Sequence, residues 1–509
     1  MRAGILRNLW ALAACAAMAA MSPAVAWAGV DVMVDGNSST IQNEIELTLI
    51  PGDSNILAMA YNDQPYTGPL GIAYSSDRGV NWATTQLSIP FEPSGLLQMS
   101  REFDPTITAD ANGLLFAACI ADGATGSPNP LGGVDSGLYA FRSADYGKTW
   151  GSPVQVAYDA ATIVPLGEDP SYRFNDRCRI IADTSSSSSY QGNVYVSWIK
   201  DRGLQDRNIL GRIPQGDIYF ARSTNAGGAF TFNTPITIND PNNDMATIPI
   251  PAVASDGTIY LAWLDYNVWT VGTGQIYLRK STDGGATFPA WDANYADHPV
   301  ASINLPPVSL TIADGNADLY TKANSGTPIV VSPVDPNILH IAYAADPDGP
   351  GADEADVFVI TSADAGQSWG SAVRVNDDTT TTDQAFPWIE VKPDGTIDVA
   401  WYDKRSDPND AYYDVYIAKS TDAGASFSGN VRVTDVSAGA PTNGWMGEYL
   451  GLAVDANTAY VAFTSSRSDA SWGDVWFDLL PNSEIPEPAC AAVLLAGASL
   501  LIRRRRSRC

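Results

Sequence analysis

Acidic residues recur at one point of a repeated pattern. Seven stretches that are apolar for most of their length, NILAMAYND at 55, GLLFAACIAD at 113, NVYVSWIKD at 193, TIYLAWLDY at 258, NILHIAYAAD at 337, TIDVAWYDK at 396 and NTAYVAFTSSR at 457, read as strands. Six of them present an acid at or beside their end: Asp63, Asp122, Asp201, Asp265, Asp346 and Asp403. A second set stands where the preceding strand starts, namely Glu44, Arg101, Glu102, Asp104, Asp176, Arg177, Arg179, Glu448 and Tyr449, while Arg202 and Arg405 follow two of the stretches and Arg467 ends a third. A protonated carboxyl beside an ionised one can hydrolyse a glycosidic bond. Several ionised oxygens within about 2.5 Å of one point can hold calcium. The same groups beside Trp263, Trp269, Trp401, Tyr402 and Trp445 can bind a sugar by hydrogen bonds and stacking. Solvated strand ends of an acidic chain would carry the same residues, so all these readings stay open.

What must position these groups is a second repeat. The pattern SxDxGxxW/F occurs six times, as SSDRGVNW at 75, SADYGKTW at 143, STNAGGAF at 223, STDGGATF at 281, SADAGQSW at 362 and STDAGASF at 420. Its third position holds Asp77, Asp145, Asn225, Asp283, Asp364 and Asp422. Each box follows an alternating strand such as DIYFAR or QIYLRK, so it is a hairpin tip: Ser and Asp supply acceptors for turn amides and Gly supplies the positive φ. The boxes are therefore structural. Each unit reads as four short antiparallel strands, with the box joining the third to the fourth.

Seven such units in about 450 residues without helical periodicity predict an all-β, seven-bladed β-propeller, with six blades as the alternative. The seventh unit has its third strand, GDVWFDLL at 473 to 480, but neither box nor fourth strand. The N-terminal run VDVMVD at 30 to 35 has the missing alternation and is expected to close the ring, which removes an unpaired edge. Because the strands run up and down, the boxes lie on one face of the disc. The acids and arginines above lie on the other, around the mouth of the central funnel.

The two ends differ from this domain. Residues 1–28 carry Arg2 and Arg7, an apolar run and Ala26-Trp27-Ala28, the order of a secretory signal peptide. Seven of the 29 Lys and Arg lie in the ends, whereas nearly all of the 57 Asp and Glu lie in the domain at 29–482. So acidic a domain repels nucleic acid and suits cations or neutral partners. Only Cys119 and Cys178 lie within the fold, either as a disulfide or as two buried thiols. With only His298 and His340, a histidine-rich metal site is excluded, whereas the acidic loops at 240–246 and 346–356 leave calcium open.

The boxes and their spacing resemble the Asp-box (BNR repeat) sialidase-like superfamily over almost the whole mature chain. The resemblance implies a clamp of arginines for a substrate carboxylate, a carboxylic acid for proton transfer and a tyrosine nucleophile activated by a glutamate. On this sequence Arg101, Arg177 and Arg405 would form the clamp, Asp104, Asp201 or Asp403 the acid, and Tyr449 with Glu448 the nucleophile side. A guanidinium fork suits the clamp where a lysine would not. The chain departs from the family in three ways. Glu448 and Tyr449 are adjacent, so on one strand they point to opposite faces. The GRIP motif sits at 211 to 214, in a loop of the third unit, and there are seven units where catalytic sialidases have six. PWIEVKPDGTIDVAWYDKRSDPND and WMGEYLGLAVD match secreted sialidase-like proteins of unassigned activity.

The last residues, 483–509, hold Pro486-Glu487-Pro488, the apolar run ACAAVLLAGASLLI and RRRRSR before Cys509. The run is about 14 residues, short for a stable span of a bilayer. This tail resembles the PEP-CTERM sorting signal, which implies an exosortase as partner, transient membrane contact and delivery to a bacterial cell surface or extracellular matrix. The reading adopted is a secreted propeller that binds a glycan or exopolysaccharide, with calcium open. The alternative is a glycoside hydrolase of exo-sialidase type.

Overall fold

The computed structural model describes residues 30–35, 41–64, 69–96, 98–124, 135–160, 174–201, 216–224, 226–240, 246, 248–266, 273–292, 297–305, 324, 326–346, 355–409, 411–439, 446–447, 449–468 and 473–488. The signal at 1–28, the tail at 489–509, Asn225, Arg202, the GRIP motif, Glu448, Trp269 and Trp445 lie outside the described residues.

The chain is a seven-bladed β-propeller. Seven antiparallel sheets follow one another along the sequence, six with four strands and the sixth with a fifth short strand attached. In the first blade, Ile41–Ile50 lies innermost, followed outwards by Asp53–Gln64, Gly71–Ser75 and Ala83–Gln86. Second strands are buried on both sides because a neighbouring blade covers each face: every residue of Leu339–Ala345 and of Thr458–Ser465 is buried. That is why they read as continuous apolar runs rather than as alternation. The cores lie between blades; one joins Phe116 and Leu138 of the second blade to Ile180 and Trp198 of the third. Cys119 and Cys178 are buried free thiols.

The ring closes as the sequence suggests. Val32–Met33 pairs with Asp474–Pro481, placing Val32 opposite Phe477 and Met33 opposite Trp476. Two paired residues would be a weak latch, but flanking side chains reinforce them. Asp31 accepts from the guanidinium of Arg467 and from the Asp435 amide at 2.7 Å. The Tyr61 hydroxyl of the first blade donates to Asp35 at 2.9 Å.

The boxes form one motif five times over among the described residues. In the fourth blade Ser281 donates to Asp283 at 2.7 Å, while Asp283 also accepts from the amides of Ala286 and Thr287 and from the Thr287 hydroxyl. The boxes of Asp77, Asp145, Asp364 and Asp422 repeat the Ser–Asp bond at 2.8 Å. All these turns lie on one face, opposite the funnel mouth.

Candidate functional site at the funnel mouth

The innermost strands share an irregularity just below the mouth. Pairing slips between Asn43 and Glu46, Phe103 and Thr106, Asp176 and Arg179, and Ala385 and Trp388. Inside each bulge one residue has positive φ: Glu44 at 54°, Asp104 at 51°, Arg177 at 54° and Phe386 at 54°. Such a conformation is costly for residues with a Cβ and collects at sites where side chains must be re-aimed. In the seventh blade the position falls to Gly447, at φ 85°. Glycine is required there, since a Cβ would stand 2.7 Å from the Glu44 amide nitrogen.

Neighbouring bulges are stitched together. The Asp104 carboxylate accepts from the Arg177 amide at 2.9 Å, and Thr106 accepts from the Ile180 amide at 3.1 Å. Within the first blade, Asn62 donates to Glu44 and Asn43, both at 2.8 Å. The residues two beyond each bulge then converge on the axis. The Arg179 guanidinium of the third blade lies 4.1 Å from the centre of the Tyr449 ring and 5.4 Å from the Trp388 ring, which belong to the seventh and sixth blades. These blades are not neighbours of the third, so the three side chains meet across the channel.

The resulting cluster is nearly sealed. Arg179 is 2% and Tyr449 4% exposed. Arg179 Nε and Nη2 and Tyr449 Oη have no aligned hydrogen-bond partner. Burial pushes the Tyr449 phenol well above its usual range; the Glu44 and Asp104 carboxylates push it further and Arg179 opposes them. Tyr449 is therefore held as a neutral phenol. Burial also raises Glu46, against the pull of Arg179. Below the cluster the channel holds a cavity of about 260 Å³ lined in part by Glu46, Arg179, Trp388 and Glu390. Burial and the proximity of Glu46 push Glu390 up to about 8, so it is a neutral acid at pH 7.

The arginines named for the clamp do not share a target. Arg101 grips Asp122 of its own blade with both ends of its fork, Nη2 to Oδ2 at 2.5 Å. Arg177 is half-buried beside Asp176 at 3.7 Å. Arg405 turns away from the axis: it lies over the Tyr416 ring at 4.4 Å and binds Asp403 at 2.8 Å, Asp377 at 2.7 Å and Asn430 at 2.8 Å. Asp403 is fully buried and also accepts from Trp401 Nε1 at 2.7 Å. Arg405 and Asp403 thus knot the sixth blade to the segment that leaves the fifth. Arg467 belongs to the ring closure. Asp201 ends its strand opposite Phe174 and Gly216. Trp263, Trp401 and Tyr402 are core.

Asp104, Arg177 and Tyr449 do come together at the mouth. Glu44 and Arg179, which the sequence placed at the mouth without a catalytic role, join them, and two partners that it did not select, Glu46 and Trp388, complete the group. The signal for them was the shared offset in NEIEL, FDPTI, DRCRI, FPWIE and GEYLG, where the axial residue follows the strained one by two positions. Among the described residues no three potential metal ligands converge, and most of each acidic loop named for calcium lies outside them.

No protein-family model and no curated protein matches the chain. Among solved structures it is similar to an α-L-arabinofuranosidase from Fusarium graminearum, with TM-score 0.46 and 11% identity over 90% of this chain and 99% of that one. It is also similar to a Hadza microbial sialidase, at 0.43 and 15% over 86% and 75%, and to the NanB sialidase of Streptococcus pneumoniae, at 0.41 and 12% over 90% and 71%. This is a likeness of fold and carries no residue or activity across.

Proposed function

We propose that the funnel mouth binds a glycan, with the half-buried Asp176 and Arg177 as the polar contacts it can reach and Asp104, Glu44 and Tyr449 buried behind them. The observation that carries this reading is the recurrence of a strained bulge at one level in four blades, with Gly447 in a fifth, all re-aiming side chains toward one concavity. A carboxylate acceptor and a guanidinium donor suit the hydroxyls of a sugar. Binding is favoured over hydrolysis because Arg101 and Arg405, two of the three arginines expected to clamp a substrate carboxylate, are engaged by carboxylates of the fold. One feature supports hydrolysis as the second reading: among the described carboxylates Glu44, from a different blade, acts most strongly on the Tyr449 phenol. The leader-like and tail segments support a place at the bacterial surface or matrix, with an exosortase acting on the tail. The test is calorimetry of the purified protein against neutral and acidic oligosaccharides, alongside release assays on the same panel. Binding that weakens in Asp176→Asn and Arg177→Gln supports the reading; binding indifferent to both removes it.

A further inference from the structure

Trp401 and Tyr402, expected to stack on a sugar, are core, but the strand paired with theirs displays another aromatic. Tyr412 opens the third strand of the sixth blade, Tyr412–Ser420, and the box of that blade follows its far end. Tyr412 therefore stands on the funnel face. At 54% it is the most exposed of the described aromatic residues. A single exposed ring needs no explanation. What sets this one apart is how firmly its backbone is held. The Asp407 carboxylate accepts from the amides of Asn409 at 2.9 Å, Ala411 at 3.1 Å and Tyr412 at 3.0 Å, which fixes the turn that leads into the strand. The fifth short strand of the sixth sheet, Ala438–Gly439, then pairs with Tyr412 and Tyr413; among the described residues no other blade carries such a strand. Ser466 of the seventh blade donates to the Gly439 carbonyl at 2.6 Å and holds that strand in turn. Tyr413 is buried, and its hydroxyl donates to the Thr464 carbonyl at 3.3 Å. The Tyr412 ring lies along Gly439, its Cε1 3.7 Å from where a Cβ would stand there.

We infer that Tyr412 is a stacking platform for a pyranose ring, and that the funnel face takes an extended glycan chain and not a single sugar. The inference rests on the glycan reading above. An aromatic face covers the C–H face of a sugar whose hydroxyls are equatorial, and a ring on a fixed backbone loses little freedom in doing so. Tyr412 lies on the third strand counted outward from the axis, two strand spacings or about 10 Å beyond the innermost one. Asp176 and Arg177 lie on an innermost strand, in the third blade. One sugar unit at Arg177 leaves Tyr412 out of reach; only a chain that runs outward over the sixth blade touches both. Ser406 and Asn409, exposed in the loop before Tyr412, supply polar groups for ring hydroxyls.

The test is calorimetry with two ladders of probes, glucose to cellohexaose and galacturonate to hexagalacturonate, on the parent protein, Tyr412→Ala, Tyr412→Trp and Asp176→Asn. Affinity should rise with chain length in the parent. Tyr412→Ala should cost the long oligomers about tenfold and the monosaccharides nothing, with the melting temperature unchanged, and Tyr412→Trp should keep the rise. If Tyr412→Ala binds every length like the parent while Asp176→Asn weakens all of them, the platform is overturned and the funnel reading stands. A loss in Tyr412→Ala that is equal at every length overturns the extended chain. A loss confined to long oligomers, with indifference to Asp176→Asn, supports the platform and counts against the axial contact. No binding of either ladder by the parent overturns both.

Discussion

Arg179 and Tyr449 face each other across the axis of the propeller, guanidinium over ring, 4.1 Å apart. The pair joins the third blade to the seventh where no backbone hydrogen bond can reach, and Glu46 supplies the nearby negative charge. Removing the cation would leave that carboxyl buried without its partner. We expect Arg179→Met to cost about 3 kcal/mol in urea unfolding. Arg179→Lys should recover little, since an ammonium cannot lie flat against two rings. Parent-like unfolding of the Met variant would show that the pair adds nothing to stability.

Tyr449 makes a different prediction, because among the described residues its hydroxyl touches only the Arg179 guanidinium and makes no aligned bond with it. Tyr449→Phe should therefore leave the melting temperature unchanged or slightly raised, because it removes a buried polar atom without an aligned bond, and should not alter glycan binding. A lower melting temperature with unaltered binding would make the hydroxyl structural.

Stability should peak in mildly acidic solution. Burial pushes Glu390 up to about 8, Asp478 up to about 8 and Glu102 up to about 7. Their folded forms hold protons that the unfolded chain has released, so their contribution is complete below the ordinary carboxylate range near pH 4 and fades as pH rises to about 8. The boxes act in the opposite sense. Hydrogen bonds from Ser368 and Ser362 bring Asp364 to about 2, and at Asp283 the bonds from Thr287 and Ser281 outweigh burial to reach about 2. Their contribution is present above the ordinary range and disappears as pH falls toward 2. Melting temperatures from pH 2 to 9 should rise and then fall, with the maximum near pH 4 to 5; a flat profile from pH 5 to 8.5 would count against the buried neutral acids.

The sequence made the boxes and blades legible because each is a local event. A turn such as STDGGATF contains its own acceptors and donors, and a second strand declares itself by needing cover on both faces. The mouth was not legible to the same degree. Alternation along NDRCRI assigns faces only if the strand is regular, and the bulge at Arg177 changes which residues reach the axis. Arg405 misled for another reason: Asp377, which turns it away from the axis, lies 28 residues earlier in the chain. The ring closure was visible in VDVMVD, yet its strongest contact, Asp31 with Arg467, joins two residues that no local pattern connects.

That closure gives a further expectation. Deleting residues 30–35 removes the Asp31 contact and exposes the edge of Asp474–Pro481, and Asp31→Ala alone should cost about 3 kcal/mol by leaving Arg467 buried without its carboxylate. Equilibrium unfolding of the two variants measures this. A deletion that melts with the parent protein would mean that the ring does not need its first strand.

A box, by contrast, should matter only locally. Asp283→Ala should lower stability by about 1.5 kcal/mol and leave any ligand affinity as it was, since its bonds stay within its own turn on the face away from the mouth. Affinity lost at constant stability would assign the boxes a part in binding.

Asp31 and Arg467 are 436 residues apart, and this sets the order in which the protein can be finished. The first blade presents Leu57, Met59 and Tyr61 on the flank that Tyr460, Val475 and Phe477 eventually cover, and those residues are made last. Bringing such distant ends together costs about 5 kcal/mol of chain entropy, recovered only when the seventh blade packs. A growing chain therefore carries an uncovered apolar flank for almost its entire synthesis. The segment made first waits longest for its partner, and a chain cut short before Asp474 loses the lock on the whole circle.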